Sequence, residues 1–203
     1  MQDKMKKWYL DSFKKYGKDD FRSLTWGDKE GKSAKKRYEQ MSKYVDFEIS
    51  SVYEIGCGWG SFFDFGFDCL EYYGIDVIQE FIDIADYRYG NSNTKFENKD
   101  FNETTYLKPK YDVAISSGVA GNRGGPSWHP NMLYDFLKHL SDSAKVSMVN
   151  FPSVYATIRT ENVEYFSPEY LLSTALKITE DVELIHKHRF DTLLVMRNKN
   201  ESN

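Results

Sequence analysis

A cluster of glycines places the strongest constraint on what this chain can fold into. Gly56, Gly58 and Gly60 follow an apolar segment, 51–55, that has the length and composition of a buried β-strand. The aromatic segment after the glycines, 61–70, is predicted to be a helix. Glycines between a strand and a helix let the backbone turn sharply and let a ligand approach main-chain atoms without interference from Cβ. The pattern therefore indicates a nucleotide-binding α/β fold.

Two acidic residues near the glycines narrow the kind of nucleotide. Asp76 ends the next predicted strand, 20 residues after Gly56, where a carboxylate can accept both hydroxyls of a ribose. Glu54 lies two residues before Gly56, and an acid there would repel the diphosphate of a dinucleotide. Ser61 stands where the dinucleotide pattern Gly-x-Gly-x-x-Gly needs its last glycine. The combination favours S-adenosylmethionine, a cationic cofactor without phosphate. The alternative is that both acids are simply exposed beside a glycine-rich turn of an unrelated α/β fold.

Strand and helix patterns alternate along the rest of the chain. After 51–55, the predicted strands are 72–77, 95–97, 111–116, 146–151, 181–186 and 192–197. After 61–70, the predicted helices are 79–89, 131–140 and 167–176. Repeated strand–helix units predict a mostly parallel sheet covered by helices on both faces. The short connection between the last two strands predicts that they are antiparallel.

The residues before position 50 are predicted to form a helical extension. Aromatic residues at helical spacing predict a helix at 4–17 and a second one at 34–45. No Pro-rich or Ser-rich linker separates them from the glycine loop. We therefore interpret residues 1–49 as an N-terminal extension or cap that packs onto a cofactor-binding domain of residues 50–203.

Composition and charge limit the partners of the protein. The chain has 203 residues and a formal charge of −4, and its basic residues are scattered, so a nucleic-acid partner is not expected. The two cysteines, Cys57 and Cys69, form neither a disulfide framework nor a metal-binding pair. No signal peptide and no apolar run long enough to span a bilayer is visible. These features predict a cytoplasmic protein with no metal site and no membrane partner.

The motifs around the glycines resemble those of a known enzyme family. Residues 54–60 resemble the first motif of class I S-adenosylmethionine-dependent methyltransferases, and 74–76 resemble the second. Residues 98–101 resemble the family's adenine-contacting segment, and the likeness runs from position 50 to the end of the chain. The resemblance implies a Rossmann-like, three-layer α/β fold. Its seven-stranded sheet has the order 3-2-1-4-5-7-6, with strand 7 antiparallel.

A narrower likeness includes the N-terminal extension. Four short stretches resemble a subgroup of small bacterial and phage methyltransferases, namely 26–30, 37–38, 115–118 and 150–151. In such enzymes the preceding helices cap the cofactor, so the resemblance places Trp26 against it and Arg37 near its carboxylate. The alternative is that Trp26 is a core residue and Arg37 lies on a helix surface.

The resemblance also implies a role for each part of the cofactor site. The glycine loop lies under the methionine portion and Asp76 holds the ribose. Asp100 faces the adenine amino group, with Phe101 beside the ring. The full set of cofactor-binding residues implied in this way is Trp26, Arg37, Glu54, Gly56, Cys57, Gly58, Gly60, Asp76, Val77, Asp100, Phe101 and Ser116.

The segment after the fourth strand, 116–129, is where a methyl acceptor is expected, because open parallel sheets bind ligands beyond the carboxyl ends of their strands. This segment lacks the Asn/Asp-Pro-Pro-Tyr/Phe signature of the amino-methylating DNA and glutamine enzymes. His129 is the candidate general base, and the alternative is a solvated histidine that helps to start the next helix.

The function expected from these features is transfer of a methyl group from S-adenosylmethionine to an oxygen, nitrogen or carbon atom of a small molecule, with release of S-adenosylhomocysteine. Two alternatives remain open. One is an NAD(P)-dependent reductase on a similar fold, and the other is a regulatory protein that binds the cofactor without catalysis.

Overall fold

Seven β-strands form a single sheet in the computed structural model, which describes residues 2–103, 110–121, 130–160, 163–186 and 190–198. The strands are β1 (Ser51–Ile55), β2 (Glu71–Asp76), β3 (Thr94–Asn98), β4 (Tyr111–Ser116), β5 (Ala144–Pro152), β6 (Asp181–Ile185) and β7 (Asp191–Arg197). Their order is β3-β2-β1-β4-β5-β7-β6. The first five strands run parallel, and β7 is antiparallel to both of its neighbours. The predicted fold class, strand order and antiparallel last strand are confirmed.

Six α-helices accompany the sheet in the part of the chain that the structure describes. They are α1 (Gln2–Tyr16), α2 (Lys32–Met41), α3 (Ser61–Asp64), α4 (Gln79–Tyr89), α5 (Pro130–Ser143) and α6 (Pro168–Ala175). Helix α6 begins as its sequence predicts, because Ser167 caps it by accepting a hydrogen bond from the Tyr170 backbone N–H, 3.1 Å away, and proline occupies the first turn.

One predicted helix is much shorter than its sequence suggested. The segment 61–70 is helical only over α3, a single turn that ends at Asp64. Gly66 then adopts the left-handed region at φ 82°, which stops the helix and turns the chain back toward β2. The aromatic residues that gave the segment its helical pattern instead pack together, with the rings of Phe62 and Phe67 5.5 Å apart. A local pattern could not show that the aromatic side chains would be buried without a longer helix.

The two faces of the sheet carry separate hydrophobic clusters. One face packs against α5 and α6 and includes Tyr53, Ile75, Phe136, Leu171 and Leu194. The opposite face packs against α2, α3 and α4 and includes Tyr38, Met41, Phe62, Tyr72 and Leu193. The arrangement is therefore a three-layer sandwich, as parallel sheets require.

The N-terminal extension packs closely against the rest of the fold. From α1, the rings of Tyr9 and Phe13 meet the ring of Phe81 on α4 edge-on, with centroids 6.1 and 5.7 Å apart. From α2, Tyr38 and Met41 are fully buried in the cluster on that face of the sheet. Aromatic and aliphatic contacts of this size contribute a large share of a small domain's stability. The boundary between extension and domain at residue 50 stays a prediction.

Candidate active site

The glycine loop lies where β1 ends, at the carboxyl edge of the parallel strands. Gly56, Gly58 and Gly60 all have positive φ values, of 78°, 55° and 87°. At Gly56 a Cβ would overlap the side chain of Val119, from the loop after β4. At Gly58 a Cβ would come within 3.1 Å of Leu24, from the N-terminal extension. The glycines are thus required both by the backbone conformation and by the close approach of neighbouring segments.

Asp76 at the end of β2 is held directly beside this loop. Its carboxylate accepts hydrogen bonds from the backbone N–H groups of Gly58, at 3.0 Å, and Ile78, at 2.9 Å. Each carboxylate oxygen takes one of these bonds, and the side chain is half-buried. A carboxylate oxygen can accept two hydrogen bonds, so each one retains a site for a further donor. This geometry fits an acid that accepts from the two hydroxyls of a ribose.

The environment of Asp76 also controls its charge. Burial raises the pKa of Asp76 to about 6, and the backbone N–H groups bonded to it oppose that rise. The positive charge of Lys6, on α1, opposes it as well, so the N-terminal extension contributes to the electrostatics of the loop. A cationic ligand at this point would favour the ionised carboxylate further.

Glu54 does not take the position expected of it. Its side chain is fully buried, and its two carboxylate oxygens accept hydrogen bonds from Tyr38, at 2.7 Å, and Tyr72, at 2.5 Å. Alternation along β1 points Glu54 to the same face as Val52, toward α2. The expectation that Glu54 meets a cationic cofactor directly at the mouth of the strand is therefore wrong. Burial raises the pKa of Glu54 to about 7.

Two other residues of the expected set turn their side chains away from the loop opening. Cys57 is buried, with its Sγ within 2.9 Å of where a Cβ of Gly74 would lie, and burial raises the pKa of its thiol. Ser116 is buried and its hydroxyl donates to the Ile55 carbonyl at 2.9 Å, which ties β4 to the end of β1. Both side chains therefore support the shape of the loop and are not available to a ligand.

The segment expected to surround adenine follows β3. Asp100 lies just beyond the pairing of Asp76 with Asn98, and it accepts a hydrogen bond from the Asn102 backbone N–H at 3.0 Å. Phe101 is buried, and its ring packs edge-on against that of Phe136, 5.4 Å away. The neighbouring Lys99 donates its backbone N–H to the Asp76 carbonyl at 3.0 Å, which keeps this segment beside the end of β2, whereas the ring of Phe101 is part of the core.

Val77, also in the expected set, follows Asp76 directly. It is half-buried and packs against the cluster formed by Leu24, Trp59 and Phe81. Its backbone N–H helps to hold the Asp76 carboxylate.

Trp26 and Arg37, the two extension residues expected at the cofactor, lie together over the loop that follows β4. The Arg37 guanidinium stacks on the Trp26 ring, 4.6 Å from its centroid. A Cβ at Gly118 would lie 2.9 Å from the Trp26 ring and 3.8 Å from the Arg37 guanidinium. Arg37 also donates to both carboxylate oxygens of Asp191 at the start of β7, at 2.7 and 2.9 Å. The pairing with Asp191 could not be found from sequence, because 154 positions separate the two residues.

Three buried polar residues on the face of the sheet that α2 covers were not among the predicted site residues. Asn150 on β5, Ser117 after β4 and Gln40 on α2 are buried, and each has a side-chain polar atom without a hydrogen-bond partner among the described residues. For Asn150 both the amide nitrogen and the amide oxygen lack a partner. Two sequence signals were available for Asn150 and Ser117: both lie in stretches that resemble the methyltransferase subgroup, and Asn150 is an asparagine inside the otherwise apolar strand β5.

The candidate general base lies outside the described residues. His129 and the rest of the segment 122–129 belong to a range whose structure is not described. Of the other histidines, His139 is buried and its Nε2 lies 3.1 Å from the Tyr53 hydroxyl, and burial lowers its pKa. His186 contacts the Ser153 hydroxyl at 2.9 Å.

The described residues offer neither a metal site nor a membrane-spanning helix. Within that part of the chain, no three His, Cys, Asp or Glu side chains come together in a way that could hold a metal ion. None of its helices combines the length and apolar character needed to cross a bilayer.

Comparison with known proteins shows which solved structures share this fold. No protein-family model matches the sequence, and no curated protein sequence matches it significantly. Solved structures do match. Magnesium protoporphyrin IX methyltransferase (ChlM) from Synechocystis PCC 6803, with bound S-adenosylhomocysteine, aligns with a TM-score of 0.67 at 13% identity, over 94% of each chain.

Two further structures are similar. Phosphoethanolamine N-methyltransferase 1 of Haemonchus contortus, in complex with phosphoethanolamine and S-adenosylhomocysteine, aligns with a TM-score of 0.69 at 13% identity, over 98% of this chain and 50% of that one. The DhpI complex with S-adenosylhomocysteine aligns with a TM-score of 0.62 at 17% identity, over 83% and 85% of the two chains. The chain therefore has the Rossmann-like fold of class I S-adenosylmethionine-dependent methyltransferases.

Proposed function

We propose that this protein is an S-adenosylmethionine-dependent methyltransferase that acts on a small-molecule acceptor. The observation that carries the proposal is the contact between Asp76 and the backbone N–H of Gly58. This contact holds the acid proposed to bind the ribose beside the glycine loop. The loop lies at the carboxyl edge of a sheet of order β3-β2-β1-β4-β5-β7-β6. Several solved structures of the same fold contain S-adenosylmethionine or S-adenosylhomocysteine, which supports the choice of cofactor.

The sheet itself argues against the dinucleotide alternative. The usual dinucleotide-binding fold has the strand order 3-2-1-4-5-6 in a mostly parallel sheet. Here the antiparallel β7 lies between β5 and β6. In addition, Ser61 occupies the place of the third glycine in the dinucleotide pattern Gly-x-Gly-x-x-Gly.

The cofactor would be held by groups on three elements. The main-chain atoms of 56–60 would lie against the methionine portion, Asp76 would accept from the ribose hydroxyls, and Asp100 would accept from the adenine amino group. Trp26 and Arg37 cover the loop after β4 from the side of the extension.

When bound, S-adenosylmethionine would supply a methyl group that passes from its sulfonium sulfur to a nucleophilic oxygen, nitrogen or carbon atom of the acceptor, with S-adenosylhomocysteine as the leaving group. The contribution of the protein is alignment of the acceptor with that methyl group and exclusion of water. Alignment alone can account for roughly 7–11 kcal/mol of such a barrier. His129 is proposed to take a proton from acceptors that must lose one before they react.

A titration experiment tests the proposal against the reductase alternative. We expect calorimetry to show binding of S-adenosylmethionine and S-adenosylhomocysteine to the intact chain and no binding of NADH. Tight binding of NADH without any response to the two adenosyl compounds would overturn the proposal.

A second experiment separates an enzyme from a non-catalytic binding protein. Purified protein with S-adenosylmethionine and a panel of small-molecule acceptors is expected to release S-adenosylhomocysteine with at least one of them. Binding without release, across acceptors with hydroxyl, amine, amide and carbon nucleophiles, would favour the regulatory alternative.

A further inference from the structure

One row across the three neighbouring strands β1, β4 and β5 leads to two polar side chains near the glycine loop that have no hydrogen-bond partner among the described residues. Glu54 pairs with Ile115, and Ile115 with Met148. Continuing that register two residues further, just past the ends of β1 and β4, brings Gly56, Ser117 and Asn150 into line on the same face. Neighbouring strands are about 4.8 Å apart, so Asn150 lies about 9–10 Å from the loop. That separation suits a second molecule bound beside the cofactor.

The polar atoms of this row are buried and unused. Asn150 is 2% exposed and Ser117 is 4% exposed. Neither the Asn150 amide nor the Ser117 hydroxyl has a hydrogen-bond partner within the part of the chain that the structure describes. Buried polar groups are almost always paired because burial without a partner is costly, so two unpaired groups side by side call for an explanation. A ligand that supplies their partners is the explanation that fits their position.

The two charged residues next to this row, Arg37 and Asp191, have opposite charges that cancel. The Arg37 guanidinium lies near Gly118, which follows β4, and donates hydrogen bonds to Asp191 at the start of β7. Because β5 lies between β4 and β7, the guanidinium crosses over the end of β5. Asp191 is opposite Pro152, two residues beyond Asn150. Because Arg37 and Asp191 form a bidentate pair, neither charge is left for a charged ligand. Trp26 stacks on Arg37 and completes the cover.

We infer that Asn150 and Ser117 bind the methyl acceptor, and that the acceptor is a neutral molecule with a hydroxyl or cyclic amide group at its reacting end. An amide side chain offers both a donor and an acceptor, and a hydroxyl does the same. The two side chains therefore match a ligand group that both donates and accepts hydrogen bonds. A carboxylate only accepts and would leave the amide oxygen of Asn150 unpaired, and an ammonium group only donates and would leave the amide nitrogen unpaired. This inference rests on the proposed function, since it assigns the second substrate of the same site.

The test uses four aromatic fragments of similar size added to the intact protein saturated with S-adenosylhomocysteine. Phenol and 2-pyridone represent the neutral classes, and benzoate and benzylamine represent the charged ones. At a concentration about tenfold above its Kd, a bound fragment is expected to raise Tm by about 3–6 °C. We expect that rise with phenol or 2-pyridone and none with benzoate or benzylamine.

Variants connect the response to the two side chains. Asn150→Leu and Ser117→Ala are expected to lose the rise in Tm. Ser147→Ala is the matched control, because Ser147 is also a buried serine on β5 without a partner among the described residues, but it pairs with Ala114 in a row remote from the glycine loop. Without fragments, Asn150→Leu is expected to keep or raise Tm, since it removes an unpaired buried amide.

Each contrary result has a defined meaning. Binding of benzoate or benzylamine, no response to any fragment at millimolar concentration, or a lower Tm for fragment-free Asn150→Leu would overturn the inference. Failure of S-adenosylhomocysteine itself to bind would instead overturn the proposed function.

Discussion

At the scale of single residues, the two acids beside the glycine loop have different surroundings and different uses. Asp76 is half-buried and is held by backbone N–H groups of the loop. Glu54 is fully buried between the hydroxyls of Tyr38 and Tyr72. We therefore propose that Asp76 serves a ligand, whereas Glu54 joins the N-terminal extension to the first two strands of the sheet.

The buried Glu54 carboxyl makes stability depend on pH. Its pKa is about 7 in the folded protein against 4.5 ordinarily, so the folded state holds a proton that the unfolded state has released. Stability should therefore fall as pH rises from about 4.5 to about 7. Glu54→Gln removes this dependence, and we expect the variant to gain up to about 3 kcal/mol relative to wild type between pH 5 and pH 7.5. Urea unfolding at the two pH values measures the difference.

Glu97→Gln is the matched control for that measurement. Glu97 accepts hydrogen bonds from Lys95 and Tyr73, which lower its pKa, so it is ionised in both states over this range. Its stability relative to wild type should not change between the two pH values. Parallel pH profiles for Glu54→Gln and wild type would contradict the account of Glu54.

The residue types at the glycine loop could be predicted from sequence, but the directions of their side chains could not. The positive φ values of the three glycines confirm what the spacing predicted. The partners of Glu54 come from α2 and β2, and no local pattern identifies them. The unpaired state of Asn150 is likewise a property of packing among strands that are distant in sequence.

At the scale of elements, an ion pair joins α2 to strand β7 of the sheet. Arg37 on α2 and Asp191 on β7 are 17% and 15% exposed, and two hydrogen bonds join them. Bidentate pairs with little exposure hold their geometry better than surface pairs do. The pair positions α2, and with it Tyr38 and the cover over the site.

A double-mutant cycle with Arg37→Met and Asp191→Asn measures that pair. We expect a coupling energy of about 1–3 kcal/mol in unfolding experiments, because removing one partner leaves a largely buried charge unmatched. The matched control is Lys138 with Asp142, an i,i+4 pair on α5 with 39% and 30% exposure, for which about 0.3–0.5 kcal/mol is expected. Equal coupling in the two cycles would show that the Arg37 pair does not fasten α2.

The prediction of elements succeeded where apolar runs were regular. Strands β1 and β4 and helix α4 begin and end where the sequence indicated. Helix α3 was overpredicted because its aromatic residues satisfy a helical pattern, while the left-handed turn at Gly66 and burial against α2 decide the conformation. Strand order followed from the family resemblance and from the short final connection, not from the strand patterns themselves.

At the scale of the whole molecule, the N-terminal extension shares one core with the sheet. Ala34, Tyr38, Met41 and Phe47 are nearly inaccessible to solvent, and three of them belong to the cluster that contains Val52. The extension also supplies Lys6 and Leu24 to the surroundings of the glycine loop. It is therefore both a structural layer and a part of the site.

Removal of residues 1–49 tests whether the N-terminal extension and the sheet share one hydrophobic core. We expect the intact chain to unfold in one cooperative calorimetric transition and the shortened chain to show none, because the cluster around Val52 would be open to water. Removal of residues 1–16 alone is the control, and should lower Tm while preserving a cooperative transition. A shortened chain of residues 50–203 that unfolds like the intact one would show that the extension is a separate unit.

The central claim is that the glycine loop and Asp76 together bind S-adenosylmethionine. Calorimetric titration of S-adenosylhomocysteine into wild type, Asp76→Ala and the exposed control Asp83→Ala tests it most directly. Loss of hydrogen bonds to a charged group should weaken binding to Asp76→Ala by about 10- to 100-fold, while Asp83→Ala binds like wild type. Equal affinity of Asp76→Ala and wild type, or no binding to wild type at all, would contradict the claim.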